Sequence, residues 1–179
     1  MANNSFKEVF LKAHNTYRAH HSAPNMSYNS ELCDAAQKWA NNLLGKKTLM
    51  HSDTKDGENI FYSSSSAAVT PTGKEAVENW YSEIKNYNFK SPGFRSGTGH
   101  FTQVVWKGST ELGVGVASSG RKVFVVGQYR SAGNMNSPGY FQQNVLPKVA
   151  GSNNIIPESP NPGSGSTPGE TKMICCILL

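Results

Sequence analysis

Residues 97–109 read GTGHFTQVVWKGS and place a single histidine, His100, between glycines and an apolar run. A histidine beside an apolar segment is most often a core residue whose hydrogen bonds are satisfied locally. The other interpretation is that His100 faces a functional site, together with polar side chains from elsewhere. Patterns and motifs elsewhere in the sequence distinguish between these two interpretations.

Three amphipathic helices are predicted before this stretch. Ser5 and Glu8 form a capping box that predicts the start of the first helix. The second is predicted over about 30–44, with Gly45 placed to end it. The third opens at a further capping box that begins with Thr72. The residues at helical spacing in the three segments are Phe6, Val9, Phe10, Ala13 and Tyr17, then Leu32, Ala36, Trp39 and Leu43, then Ala76, Val77, Trp80, Ile84 and Tyr87.

The sequence after residue 110 favours strands. LGVGVA (112–117) and KVFVVGQY (122–129) are β-rich runs joined by SSGR, which is typical of a hairpin turn. ENIFY (58–62) is predicted to be a further strand. Helices combined with a small, mostly antiparallel sheet predict an α+β domain whose sheet is covered on both faces.

The chain divides into three parts by composition. Residues 1–149 carry the periodic patterns of a single domain, whereas 150–171 are rich in Gly, Ser, Pro and Asn and predict a disordered linker. Residues 172–179 form a short C-terminal segment. The N-terminus lacks an apolar stretch suited to secretion, and the three cysteines give no disulfide framework, so we expect an intracellular protein.

Positive charge is concentrated in the domain. Residues 1–150 contain 16 Lys and Arg against 10 Asp and Glu, a net charge of +6. Such an excess favours anionic lipid head groups or acidic partners. No Arg-rich run, zinc-finger spacing or RNA-binding motif is present in the sequence, so we expect no nucleic-acid partner.

Four ionisable residues border apolar positions and are candidates for a shared site. Glu83 adjoins the aromatic stripe of the third helix, where a carboxylate needs a partner. His51 and Glu58 also lie next to apolar residues, and His100 completes a set of two histidines and two carboxylates. Such a set suits either a divalent metal or a hydrogen-bond network. The spacing alone does not show that the four meet.

Several motifs resemble one known family. GHFTQVVWKGS (99–109) resembles the principal signature of the CAP superfamily, which comprises the cysteine-rich secretory, antigen five and pathogenesis-related proteins, and QYRSAGNM (128–135) resembles its second signature. HSD at 51, GENI at 57 and WYSEIKNYNF at 80 follow the family's order. The resemblance covers about residues 5–147 and is greatest to the intracellular, Golgi-associated branch.

The resemblance implies a three-layer α-β-α sandwich in which GHFTQVVW is a short helix. It also implies a shallow cavity lined by a tetrad of His51, Glu58, Glu83 and His100, which in some members holds zinc or another divalent ion. No cofactor is expected to be required. The related branch suggests a homodimer.

The last four residues predict a lipid anchor. Cys176-Ile177-Leu178-Leu179 matches the prenylation pattern with Leu in the final position, which points to geranylgeranylation of Cys176. One lipid gives only marginal membrane binding, so a second signal is expected, and Cys175 is the candidate for palmitoylation.

Two functions are compatible with these observations. The favoured one is a non-catalytic protein, anchored on the cytosolic face of Golgi or other endomembranes, that binds anionic lipids or sterols and a protein partner. The alternative is a metal-dependent hydrolase in which His51 and His100 bind the metal and Glu58 or Glu83 is the general base.

Overall fold

The computed structural model describes residues 1–67 and 70–149. The predicted linker at 150–171 and the segment with Cys175 and Cys176 lie outside these residues. The elements in chain order are α1 (Asn4–His20), β1 (Ser27–Tyr28), α2 (Ser30–Lys46), β2 (Gly57–Ser64), α3 (Gly73–Ser82), a 3-10 helix (Glu83–Asn86), α4 (Gly99–Val105), β3 (Glu111–Ser119), β4 (Lys122–Arg130) and α5 (Tyr140–Asn144).

The four strands form one sheet in the order β1-β3-β4-β2. β4 pairs antiparallel with both β2 and β3, and only the short β1 is parallel to its neighbour. α2 packs on β3 and β4, while α1, α3 and α4 pack against one another and cover the other face. The predicted α+β, three-layer α-β-α arrangement is confirmed, as is the short helix in GHFTQVVW.

The side chains of β4 point alternately to the two faces of the sheet, and a separate hydrophobic cluster lies on each face. Val123, Val125 and Tyr129 of β4 face the cluster formed with α1, α3 and α4. Phe124 and Val126 face the smaller cluster under α2. This is the period of two expected for a strand that is buried on both sides.

Two glycines bring α2 close to the sheet. A Cβ built on Gly113 would lie 2.2 Å from the backbone carbon of Leu32, and one on Gly115 would lie 2.3 Å from the backbone nitrogen of Gln37. No side chain fits in that space. The glycines of LGVGVA are therefore contact points for a helix as well as strand residues.

The start and end of two helices differ from the sequence prediction. Asn3, and not Ser5, caps α1, because its side chain accepts a hydrogen bond from the amide of Phe6 at 2.8 Å. Gly45 does not end α2, which continues to Lys46 and stops at the left-handed residue Lys47. A capping side chain or a left-handed residue, rather than the sequence pattern alone, fixes these helix limits.

The buried face of α1 is more polar than its apolar pattern predicts. Val9 is 39% exposed, whereas His14 and Arg18 are fully buried. His14 lies 2.9 Å from the hydroxyl of Tyr129, and burial lowers the pKa of His14 to about 3. The neutral imidazole is therefore part of the core at neutral pH.

Arg18 holds the end of α4 in place. Its guanidinium donates to the carbonyl oxygens of Pro24, Val104, Trp106 and Ser109 at 2.7–3.0 Å. These carbonyls include groups that α4 itself leaves without partners at its C-terminus. The buried arginine thus fixes the helix that carries His100.

Candidate functional site

The first pair of site residues is His51 and Glu58. Glu58 lies at the start of β2, and its carboxylate is 2.8 Å from Nδ1 of His51. It also accepts from the amide and the hydroxyl of Ser52, at 2.9 and 2.5 Å, and from the side-chain amide of Gln128 at 3.1 Å. Burial by itself raises the pKa of Glu58, but these hydrogen bonds outweigh it and leave the pKa below its usual value.

The second pair is Glu83 and His100. Glu83 opens the 3-10 helix that follows α3, and its Oε1 is 2.9 Å from Nδ1 of His100. Its other oxygen accepts from the backbone amides of His100 and Phe101, at 2.9 and 3.2 Å. The N-cap residue of α4, Thr98, gives no side-chain cap, so Glu83 supplies a carboxylate to the first turn of this helix.

The edge strand β2 connects the two pairs. Glu58 projects to the same face of β2 as Ile60, by the alternation of the strand. Asn59 projects to the other face and donates to the carbonyl oxygen of His100 at 3.1 Å. The structure thus pairs His51 with Glu58 and Glu83 with His100, and the consecutive residues Glu58 and Asn59 of β2 contact one pair each.

A cavity of about 250 Å³ lies beside the second pair. Glu83 and His100 contribute to its wall, whereas His51 and Glu58 do not line it. Its other lining residues are Ile60, Phe61, Tyr62, Asn79, Ser82, Lys85, Asn86 and Gly97. The walls of this cavity are therefore mixed in polarity.

The geometry offers little to a metal ion. Within residues 1–67 and 70–149, no three His, Cys, Asp or Glu side chains are grouped so that they could hold one. His51 presents an oriented imidazole, because Nδ1 is held by Glu58 and the buried Nε2 has no hydrogen-bond partner among the described residues. Zinc binds three or four protein ligands, so this imidazole would need further ligands that the described arrangement does not supply.

The two carboxylates are engaged in holding the backbone and the imidazoles. Each carboxylate accepts from an imidazole and from the backbone, Glu58 from His51 and Ser52 and Glu83 from His100. A general base needs a lone pair directed at the proton that it removes, and a pKa near the working pH. The lowered pKa of Glu58 is the opposite of that requirement.

Sequence reasoning missed the partners of these residues. Gln128 contacts Glu58 although 70 positions separate them, and Asn59 reaches the backbone of His100 across 41 positions. The register of β2 against β4, in which Glu58 is opposite Gln128, creates the first contact. One sequence feature pointed to such partners. Glu58 and Asn59 are consecutive polar residues in a predicted strand, and because adjacent strand residues project to opposite faces, each needs a polar partner on its own face.

Comparison with known families gives one match to most of the domain. The model of the cysteine-rich secretory protein family, CAP, matches residues 11–129. The human Golgi-associated plant pathogenesis-related protein 1 is 45% identical over 151 residues, which are 82% of this chain and 96% of that protein. Protein PRY2 of Saccharomyces cerevisiae is 36% identical over 79% of this chain and 41% of its own length.

Solved structures agree in fold. BmVAL-1 superposes with a TM-score of 0.65 at 24% identity, over 75% of this chain and 81% of its own. The crystal structure of NaASP2 with Zn²⁺ gives a TM-score of 0.66 at 24% identity, over 83% and 88% of the two chains. The family model matches residues 11–129, the human relative is 45% identical over 96% of its length, and the three-layer fold is shared: this chain belongs to the CAP family of cysteine-rich secretory proteins.

Proposed function

We propose that this protein is a non-catalytic CAP module that is anchored by lipid on the cytosolic face of endomembranes and binds their anionic lipids. The buried His and Glu pairs hold the fold around the cavity in this proposal and perform no reaction. The observation that carries the non-catalytic part of the proposal is the engagement of both carboxylates by imidazoles and backbone amides, together with the lowered pKa of Glu58.

Charge supports the choice of an anionic partner. The net charge of +6 over residues 1–150 attracts a surface rich in anionic lipid. Each Lys or Arg that comes close to such a surface contributes up to about 1 kcal/mol. This contribution adds to a palmitoyl group on Cys175, the candidate for the second signal that a single lipid anchor needs for stable binding.

Two further observations support the location. The human relative that covers most of this chain is described as Golgi-associated. The sequence Cys176-Ile177-Leu178-Leu179 matches the pattern for prenylation.

In the described part of the chain, no helix is long and apolar enough to cross a bilayer.

Vesicle sedimentation tests the binding function. The full chain is mixed with vesicles of phosphatidylcholine alone, or of phosphatidylcholine with phosphatidylserine, at low and at high salt. We expect sedimentation with the serine lipid only, and release by salt, because charge attraction is screened. Equal binding to both vesicles, or none to either, would contradict the proposal, as would a chelator-sensitive hydrolase activity lost in Glu58→Gln.

A further inference from the structure

Helix α2 packs along strand β3 in the same direction, and their C-terminal ends lie at the same end of the domain. The side chain of Gln37 bonds to both backbone groups of Val116, accepting from its amide at 3.1 Å and donating to its carbonyl at 2.8 Å. From this point Lys46 is nine helical residues further, about 13 Å. Gly120 is four strand residues further, also about 13 Å. The last turn of α2 therefore lies beside the β3–β4 turn.

Four cations occupy this end of the molecule: Lys46, Lys47, Arg121 and Lys122, which we call the hairpin-end patch. All four are exposed. None of them is in a salt bridge with any acidic side chain in the ranges 1–67 and 70–149. Lys46 and Lys47 end α2, where the negative end of the helix dipole stabilises positive charge.

The opposite end of the same layers is acidic. Glu31 lies in the first turn of α2, and Glu111 is the first residue of β3. Asp56, directly before β2, and Glu31 both pair with Arg130, at 2.9 and 3.3 Å. The described acidic residues of α2 and the strands, Glu31, Asp34, Glu58 and Glu111, all lie away from the hairpin turn. The sheet and α2 are thus electrically polarised along their length.

We infer that the hairpin-end patch is the surface by which the domain docks on an anionic phospholipid membrane. This inference rests on the proposed function and adds the orientation of the domain. A helix end and a strand turn that stop at one level present their cations together to a flat surface.

The position of the chain's exit is compatible with this orientation. α1 begins near the hairpin, because Asn3 and Ser5 share a cavity wall with Ser118 of β3. Helix α1 ends at His20, about 25 Å along its axis from its first residue. At that far end the amide of Val149, the last described residue, donates to the carbonyl oxygen of His20. The 26 residues 150–175 can reach up to about 86 Å. A lipid on Cys176 and the patch can therefore contact the same membrane.

The experiment compares two variants with equal loss of charge. The first neutralises the patch: Lys46→Gln, Lys47→Gln, Arg121→Gln and Lys122→Gln. The matched control neutralises three lysines and one arginine elsewhere on the exposed surface: Lys12→Gln, Lys90→Gln, Arg95→Gln and Lys107→Gln. Both are made in the full chain with Cys176→Ser, so that partition onto phosphatidylcholine–phosphatidylserine vesicles reports the domain alone. Thermal unfolding checks that each variant is folded.

The expected result is a loss of partition confined to the patch variant. Four cations close to the surface contribute up to about five-fold each, so we expect a loss between about ten-fold and several hundred-fold. The control should lose less than about three-fold, because charges remote from the surface are screened.

Two other outcomes overturn the inference. Equal losses in the two variants would show that binding follows net charge without a preferred face, and would leave the proposed function standing. Failure of the parent chain to bind the anionic vesicles would overturn the proposed function together with the patch.

Discussion

At the scale of single residues, the hydrogen bonds that the carboxylates of Glu58 and Glu83 accept define the site. Both carboxylates are buried or nearly so, with 1% and 12% of their side chains exposed. Each is satisfied by an imidazole and by backbone amides, and a buried charge is tolerated only when such donors surround it. The histidines and glutamates thus hold each other in position without a ligand.

Replacing Glu58 by Gln should destabilise the protein by about 1–3 kcal/mol at neutral pH. The new amide group would direct its hydrogens at donors such as the side chain of Gln128. Because the folded pKa of Glu58 is lowered, its contribution is fully present above its usual pKa and is lost as the pH falls through the folded value. Urea unfolding from neutral to acidic pH should therefore show a difference between the parent and Glu58→Gln that shrinks below about pH 4.

Glu78→Gln is the matched control for this measurement. Glu78 pairs with Lys74 at 3.1 Å on the surface of α3, where both side chains are almost half exposed. Its loss should change the free energy of unfolding by less than about 0.5 kcal/mol. A pH-independent loss in Glu58→Gln would contradict the assigned role of the Glu58 charge.

At the scale of elements, the contact between α2 and β3 determines the width of one layer. The absence of side chains at Gly113 and Gly115 lets the helix backbone approach the strand, and the hydrogen bonds of Gln37 to Val116 lock the relative position of the two elements. The same contact brings the end of α2 to the hairpin turn. The two glycines thus permit the close approach that places Lys46 and Lys47 beside the hairpin turn.

Gly115→Ala should destabilise the protein by more than about 2 kcal/mol, because overpacking a tight backbone contact costs about 1–3 kcal/mol or more. The added methyl would lie 2.3–2.4 Å from backbone atoms of Ala36 and Gln37, which cannot rotate away. Thermal or urea unfolding measures the change.

Gly45→Ala is the matched substitution within the same helix. Among the described residues, no atom outside the backbone of its own helix lies within 4 Å of the position of the added Cβ. It should stabilise the protein by about 0.5–1 kcal/mol, because alanine favours the helix. Similar effects of the two substitutions would show that helix propensity, and not the close approach to β3, determines the result at Gly115.

At the scale of the whole molecule, the described domain and the C-terminal sequence divide the proposed membrane contact between them. In the proposal, the domain supplies the charge and Cys176 is the residue that would carry the lipid. Neither contribution alone gives more than modest, reversible binding. We therefore expect the two to act together, with the domain setting the orientation.

The intact mass of the protein from eukaryotic cells tests the anchor. Membrane and soluble fractions are analysed separately. We expect the membrane form to have lost Ile177, Leu178 and Leu179 and to carry a prenyl group on Cys176, and we expect Cys176→Ser to move the protein to the soluble fraction. Cys175→Ser is the companion variant: it should keep the prenyl mass but weaken retention, because it removes the residue expected to carry the second lipid. An unmodified chain in the membrane fraction would contradict the prenyl anchor.

The sequence by itself determined the fold class and the location of most elements. Periods of 3.6 and 2 residues separated helices from strands, and the motifs at 51, 57, 80, 99 and 128 were specific enough to identify the family. Thr72 was correctly identified as a helix cap, because its hydroxyl accepts from the amide of Glu75, a partner only three residues away. Local interactions of this kind are encoded in neighbouring residues.

Only the tertiary structure decided which distant groups meet. His14 and Arg18 were not identified as core residues, because their partners, the hydroxyl of Tyr129 and the carbonyls near the end of α4, lie 86 or more positions along the chain. The pairing of His51 with Glu58 and of Glu83 with His100, and the meeting of α2 with the β3–β4 turn, depend likewise on strand register and helix packing. Register and helix packing fix which distant groups come within hydrogen-bond distance, and the order of the motifs along the chain does not show which of them meet.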